Sequence, residues 1–223
     1  MKTTKLSNVE SSLFPQRPAS ANDLWLVADL ETNGLYEQVT HTFCIVCKDI
    51  QSGQVYTFGP EDIDRGLALL SRADVLIGHN FLFYDLPVLH KLYDDFTFNG
   101  RVIDTLVMSR LLWPQETMYD QDVENYPQVD QKLRGRHSLK AWGQRLDDHK
   151  GDFNDWSGYS QEMLDYCVQD VNVTHKLFDH CVQQAYPEPA LALEHEFAKY
   201  ISRQIVSGVP FNGRQAMRLV DSL

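Results

Sequence analysis

Residues 24–34, LWLVADLETNG, begin with an apolar run and then set Asp29 and Glu31 one residue apart. A short apolar run of this kind suits a buried strand, and alternate residues of a strand share a face. Two carboxylates on one face at a strand end repel each other. The pattern therefore calls for a positive charge between them. The Asn33-Gly34 pair that follows is turn material.

Working outward, HTFCIVCKD (41–49) and GQVYTFG (53–59) read as two more strands joined by a turn, which predicts a hairpin. The period then changes. EDIDRGLALLSRA (61–73) has helical spacing behind an acidic first turn, DVLIGHN (74–80) is another buried strand, and YDLPVLHKLYDDF (84–96) returns to a helix. RVIDTLVMSRLL (101–112) reads as a strand running into a helix that Asp104 or Thr105 caps. Strands alternating with helices after an opening meander indicate an α/β domain with a mixed central sheet of about five strands flanked by helices.

Residues 1–22 are polar and rich in Pro and Ser, the composition of an extended or disordered arm. Residues 113–132 carry two prolines and many polar side chains, and are expected to form a long exposed insertion. HSLKAWGQRL (137–146) is helical, and residues 160–184 form one long helix with a Ser160 cap. YPEP (186–189) breaks that helix, Gly208 stops the next, and residues 212–223 begin another whose apolar face (Ala216, Leu219, Val220) lacks a later partner. The expected division is an arm over 1–22, a domain over 23–187, and a linker helix with the start of a further domain over 188–223, the chain being a piece of a longer protein.

At 223 residues with 43% apolar side chains, the chain is long enough for one well-cored domain. A net charge of −11 argues against a broad basic face gripping duplex DNA through many phosphates. Cys44, Cys47, Cys167 and Cys181 lie scattered in apolar segments, so buried free thiols are expected despite the C-x-x-C at 44–47. The N-terminus has no apolar signal core and no run approaches a membrane span, which reads as cytosolic.

Four acids stand out by context. Asp29 and Glu31 end one strand, Asp85 follows another, and Asp170 lies four residues after Tyr166 on the long helix, so that both project from one face. Singly, each has a plain reading as a solvated acid, a cap or an ion-pair member. Jointly they can converge only if something neutralises them, and hard divalent cations with oxygen ligands do that.

DLE at 29–31, HNFLFYD at 79–85 and YCVQD at 166–170 resemble the three motifs of the DEDD exonucleases, in the tyrosine subclass. IDTLVMSRL (103–111), HSLKAWGQRL (137–146) and EHEFAKYISRQIVSGVPFN (194–212) are further similar to segments of replicative family A DNA polymerases of short-tailed bacteriophages. The last of these resembles the junction between proofreading and polymerase domains.

The resemblance implies an RNase H-like exonuclease fold that removes 5′-mononucleotides from a DNA 3′ end. It also implies two divalent ions, Mg²⁺ or Mn²⁺. Asp29 would bridge both, Glu31 and Asp170 would complete the first site, and Asp85 would support the second through water. Tyr166 would orient the attacking water, since a phenol with a pKa near 10 is a poor base at neutral pH. Asn80 and Tyr84 match positions near the substrate. Leu35 matches a wedge beside the terminal bases, or is a core leucine after the turn.

The implied partners are a single-stranded DNA 3′ end and a polymerase domain of the same full-length chain. No membrane is implied, the host cytoplasm is the implied location, and no accessory processivity factor is identifiable. A basic cluster, Lys132, Arg134, Arg136, His137, Lys140 and Arg145, reads most simply as a solvated loop and helix face, though it could guide the strand. Two alternatives stay open: a free-standing DNA or RNA exonuclease of the same family, and a catalytically inactive binding module. The presence of all four acids and the tyrosine speaks against the second.

Overall fold

The computed structural model describes residues 17–148, 153–184 and 186–222. Five strands form one sheet: β1 (Trp25–Thr32), β2 (Thr42–Asp49), β3 (Val55–Phe58), β4 (Val75–Gly78) and β5 (Arg101–Asp104), in the order β3-β2-β1-β4-β5. The opening meander is antiparallel, and β4 and β5 are parallel to β1. The expected mixed α/β sheet is thus present, with the acid-bearing strand at its centre.

The pleat of β1 sorts its side chains between two cores. Trp25 and Val27 enter one core with Val46 of β2 and with Cys167, Val171 and Leu177. Leu26, Ala28 and Leu30 enter the other with Ile45, Leu76, Val88 and Leu89. The first core is covered by α3 (Thr105–Leu112), α5 (Leu139–Arg145) and the long α6 (Gln161–Val182), capped at Met163 N–H by the Ser160 hydroxyl. The second is covered by α1 (Ile63–Ser71) and α2 (Asp85–Leu92). Period-two alternation carries Asp29 and Glu31 onto the α6 side. The ladder with β2 shifts register between Glu31 and Thr32, and such a bulge re-aims the side chains beside it.

Segment 113–132 differs from its expected form. It holds a helix, α4 (Gln115–Asn125), with Met118, Asp122 and Val129 buried. Asp122 takes both arms of Arg145, Nε and Nη2 each at 2.7 Å, and accepts the Gly135 N–H at 2.8 Å. A polar sequence can pack inward when its acid meets a bidentate guanidinium. This pairing also removes Arg145 from the basic cluster, because its side chain is fully buried.

Two further helices complete the described chain. α7 (Glu188–Ser207) ends at Gly208, whose φ of 67° suits the residue that stops it, and α8 (Gly213–Asp221) has no buried residue. α7 is tied to the sheet through polar atoms. The His195 ring accepts the Asp104 N–H at Nε2 (2.9 Å) and sets Nδ1 against the Leu191 carbonyl (2.8 Å). The Ser202 hydroxyl donates to the Leu82 carbonyl at 2.6 Å.

Burial lowers the His195 pKa from 6.5 to about 4. The unfolded chain therefore takes up this proton before the folded one does, and stability is lost as pH falls from about 6.5 toward about 4. The His195→Gln variant, which can keep both hydrogen bonds, is expected to lose less stability than the wild type across that window, by roughly 3 kcal/mol. Denaturant midpoints measured at pH 7 and pH 4.5 check this, and identical pH slopes would contradict it.

Candidate active site

The end of β1, the β4–α2 loop and the middle of α6 meet at a cleft of about 200 Å³. Asp29, Glu31, Asn80, Tyr84, Asp85, Tyr166 and Asp170 all line it, together with His79 and Trp156. Seven of the eight residues singled out in the sequence are brought together, although they come from three distant segments. Leu35 is not in the lining and is 69% exposed, so it is no core leucine. It sits on the turn beyond β1, where its carbonyl accepts the N–H groups of Gln38 and Val39.

The β4–α2 loop is shaped by Asp104. This fully buried carboxylate accepts Asn80 N–H at 2.9 Å, Leu82 N–H at 3.0 Å and Leu106 N–H at 2.9 Å. One side chain therefore caps α3, as expected, and also fixes the loop that delivers Asn80, Tyr84 and Asp85. Asn80 is held at φ 65°, a region that Asn tolerates better than most residues. Gly78 is required at the loop entry, since a Cβ there would lie 2.5 Å from the Phe81 ring.

Tyr84 lines the cleft with its ring, but its hydroxyl donates to the Gly34 carbonyl at 2.6 Å and also meets the Thr32 hydroxyl. It ties the Leu35 turn to α2. Asp85 opens α2 without capping it through its side chain. Tyr166 packs against Phe153 and Trp156, with ring centroids 5.6 and 6.1 Å away.

The electrostatics follow from burial and crowding. Asp85 is pushed well above the usual carboxylate range, first by burial and then by the charge of Asp29, with the Asp85 and Leu30 backbone N–H groups partly opposing. Burial raises Tyr84 as well. The donor set suits a hard cation, being carboxylates crowded in one polar cleft. Asp29, Glu31 and Cys167 each bring a ligand atom within 4.8 Å of the others. Cys167 behaves differently from the acids: burial foremost, with Cys44 and Asp29 adding, raises its pKa, and its thiol donates to Asp29 Oδ2 at 3.4 Å. All four cysteines are buried and free, as expected.

Cys167, Trp156 and Asp104 were not singled out as site residues in the sequence. Cys167 had a usable signal, since it precedes Asp170 by three positions on a helix and so shares its face. Trp156 had none, lying in the irregular segment before α6.

The Asp85 shift has a sign that can be tested. Its folded carboxyl holds a proton more tightly than the unfolded one near 3.8, so the destabilisation is full above the folded value and fades as pH falls toward 3.8. At pH 7 without metal, the Asp85→Asn variant is expected to melt above the wild type. Millimolar Mn²⁺ is expected to raise the wild-type melting temperature, stabilisation reaching about 2.7 kcal/mol at a hundredfold excess over Kd. Differential scanning fluorimetry checks both; no Mn²⁺ response would contradict a shared cation pocket.

Residues 26–182 match the profile of the RNase_H superfamily. The chain is 30% identical to the DNA-directed DNA polymerase of Enterobacteria phage T3 and 29% identical to that of Escherichia phage T7, each over 84% of this chain. It spans about a third, 33%, of the length of those relatives. Among solved structures, Brucella melitensis NrnC bound to pGG superposes with a TM-score of 0.58 at 18% identity, covering 84% of this chain and 87% of that one. Brucella melitensis NrnC with bound Mg²⁺ gives 0.54 at 19% identity over the same shares. At that identity the structural likeness speaks for the fold, which is the RNase H-like fold read from the motifs. Among the described residues no helix is long and apolar enough to cross a membrane. With its sheet order, its acid-lined cleft and a match over most of its length, the chain belongs to the RNase_H superfamily.

Proposed function

We propose that this chain is the proofreading 3′→5′ exonuclease domain of a DNA polymerase, removing 5′-mononucleotides from a single-stranded or frayed DNA 3′ end. The observation that carries this reading is the convergence of Asp29, Glu31, Asp85 and Asp170, with Tyr166, on one cleft. The likeness to the phage polymerases supports the polymerase context.

Asp29, Glu31, Asp85 and Asp170 are the groups that would hold metal. Bound there, two divalent cations, Mg²⁺ or Mn²⁺, supply Lewis acidity to the scissile phosphate and its leaving oxygen. The protein supplies position. The Tyr166 hydroxyl and the Glu31 carboxylate hold a water from two sides and aim it at phosphorus, opposite the bond to the penultimate 3′ oxygen. The new P–O bond forms as that bond breaks, the attacking water gives up a proton to solvent, the departing 3′ oxygen takes one up from solvent, and the terminal 5′-nucleotide leaves. Asn80 contacts the terminal nucleotide. Trp156, 44% exposed at the cleft, offers a face on which its base stacks. Leu35, on the turn held by Tyr84, wedges beside the terminal bases.

The division into domains follows the same reading, with residues 23–187 as the exonuclease unit and 188–223 leading into a polymerase domain. Exposed Phe197, Tyr200 and Ile205 on α7, Phe211 in the linker, and Leu219 and Val220 on α8 form the surface assigned to that domain. A second reading, a free-standing DNA or RNA exonuclease, is favoured by the 87% coverage of the NrnC chains. DNA and RNA strands assayed side by side separate an RNA-trimming enzyme from the proofreading domain.

A 5′-labelled single-stranded DNA is expected to shorten stepwise with Mg²⁺ or Mn²⁺ and to stay intact in EDTA. Asp29→Ala is expected to lose about 10²–10³-fold in rate, as when a transition-state charge loses a donor. Tyr166→Phe is expected to lose about 10–100-fold, the range for an orienting partner. A metal-independent ladder, or one unchanged in Asp29→Ala, would overturn the assignment.

A further inference from the structure

Beside the acidic cleft lies a second, larger cavity of opposite charge, about 970 Å³. His79 and Asn80 line both, so the two adjoin at the β4–α2 loop. Arg110, Lys132, Arg134 and Arg136 line the second cavity, and no Asp or Glu does. Four of the chain's 20 Lys and Arg residues thus face one hollow in a protein of net charge −11. None of the four is paired with a carboxylate among the described residues. Arg134 Nε is buried without a hydrogen-bond partner, a state that costs free energy unless a ligand oxygen completes it. Tyr119, 46% exposed, lines the same cavity with an aromatic face.

The loop carrying Lys132, Arg134 and Arg136 is held in place rather than free to swing. The Gly135 N–H donates to Asp122, which the fully buried Arg145 grips through two nitrogens. Gly135 itself has φ 72°, a conformation that favours glycine. A buried ion pair therefore presents three cations at fixed positions, a preorganised arrangement that lowers the ordering cost of binding an anion.

We infer that this cavity is a subsite for the phosphodiester backbone of the substrate strand, seating the nucleotides on the 5′ side of the scissile bond. The inference rests on the nuclease reading of the acidic cleft. A strand whose 3′ terminus lies among the carboxylates leaves across Asn80 into the basic hollow. There guanidinium groups receive its phosphates and Tyr119 stacks on a base. This arrangement reconciles a strongly acidic protein with a polyanionic substrate: attraction is confined to a few phosphates.

The test compares wild type with Lys132→Gln/Arg136→Gln, two exposed positions whose change leaves the Asp122–Arg145 anchor intact, and separately with Arg134→Gln. Binding of 5′-fluorescein-dT10 is read by fluorescence anisotropy in EDTA at several salt concentrations, and turnover of dT10 and dT2 is measured with Mg²⁺. The double variant is expected to bind dT10 more than about tenfold more weakly. Its salt slope should be shallower by about 1.4, at about 0.7 per lost phosphate contact on a single strand. KM for dT10 should rise with kcat little changed, while dT2, whose only phosphate is the scissile one, is cleaved as by wild type. Wild-type affinity and salt slope in both variants would overturn the subsite. A wild type that binds dT10 with these dependences yet cleaves nothing would instead overturn the nuclease reading.

Discussion

Mutual repulsion among carboxylates is the constraint around which this molecule is arranged. Asp29, Glu31, Asp85 and Asp170 line one small cleft, and in water-poor surroundings like charges at short range disfavour each other's ionisation. Asp85 is pushed upward chiefly by its burial, and the charge of Asp29 adds to that cost. A fold that holds such groups together must fix them with interactions stronger than their tendency to part.

Those interactions are apolar below the site and polar around it. The odd-numbered face of β1 is cemented to α6 by Trp25, Val27, Cys167 and Val171, so Asp29 cannot move without breaking a packed core. The loop bearing Asp85 is held by Asp104, and Asp104 and Leu82 are joined in turn to α7 through His195 and Ser202. The basic loop on the other side of Asn80 is fixed by Asp122 and Arg145. Each anchor is a buried polar group held by hydrogen bonds to backbone or to an opposite charge, and contacts of that kind rigidify a structure where the local dielectric is low.

Much of this was legible in the chain. The alternation of β1 fixed which face its acids occupy, and the four-residue spacing of Tyr166 and Asp170 put both on one side of α6. The change from period two to helical spacing after residue 60 gave the mixed sheet. What could not be read were side-chain partnerships across long separations. Segment 113–132 looked solvated because its composition is polar, yet Asp122 is buried against Arg145, a pairing across 23 positions that no periodicity announces. Asp104 was legible as a cap, but its second task, holding Asn80 and Leu82, depends on the β4–β5 register. The basic cluster was visible as composition, whereas its division into one buried anchor and a row of cavity-lining cations required the fold.

The most direct measurement of the central claim is the anomalous scattering of Mn²⁺ soaked at millimolar concentration into crystals of this protein. Peaks are expected among the carboxylates of Asp29, Glu31 and Asp170, with Asp85 within reach of a coordinated water. Peaks confined to other acidic surfaces, with the cleft carboxylates turned apart and no metal between them, would contradict it.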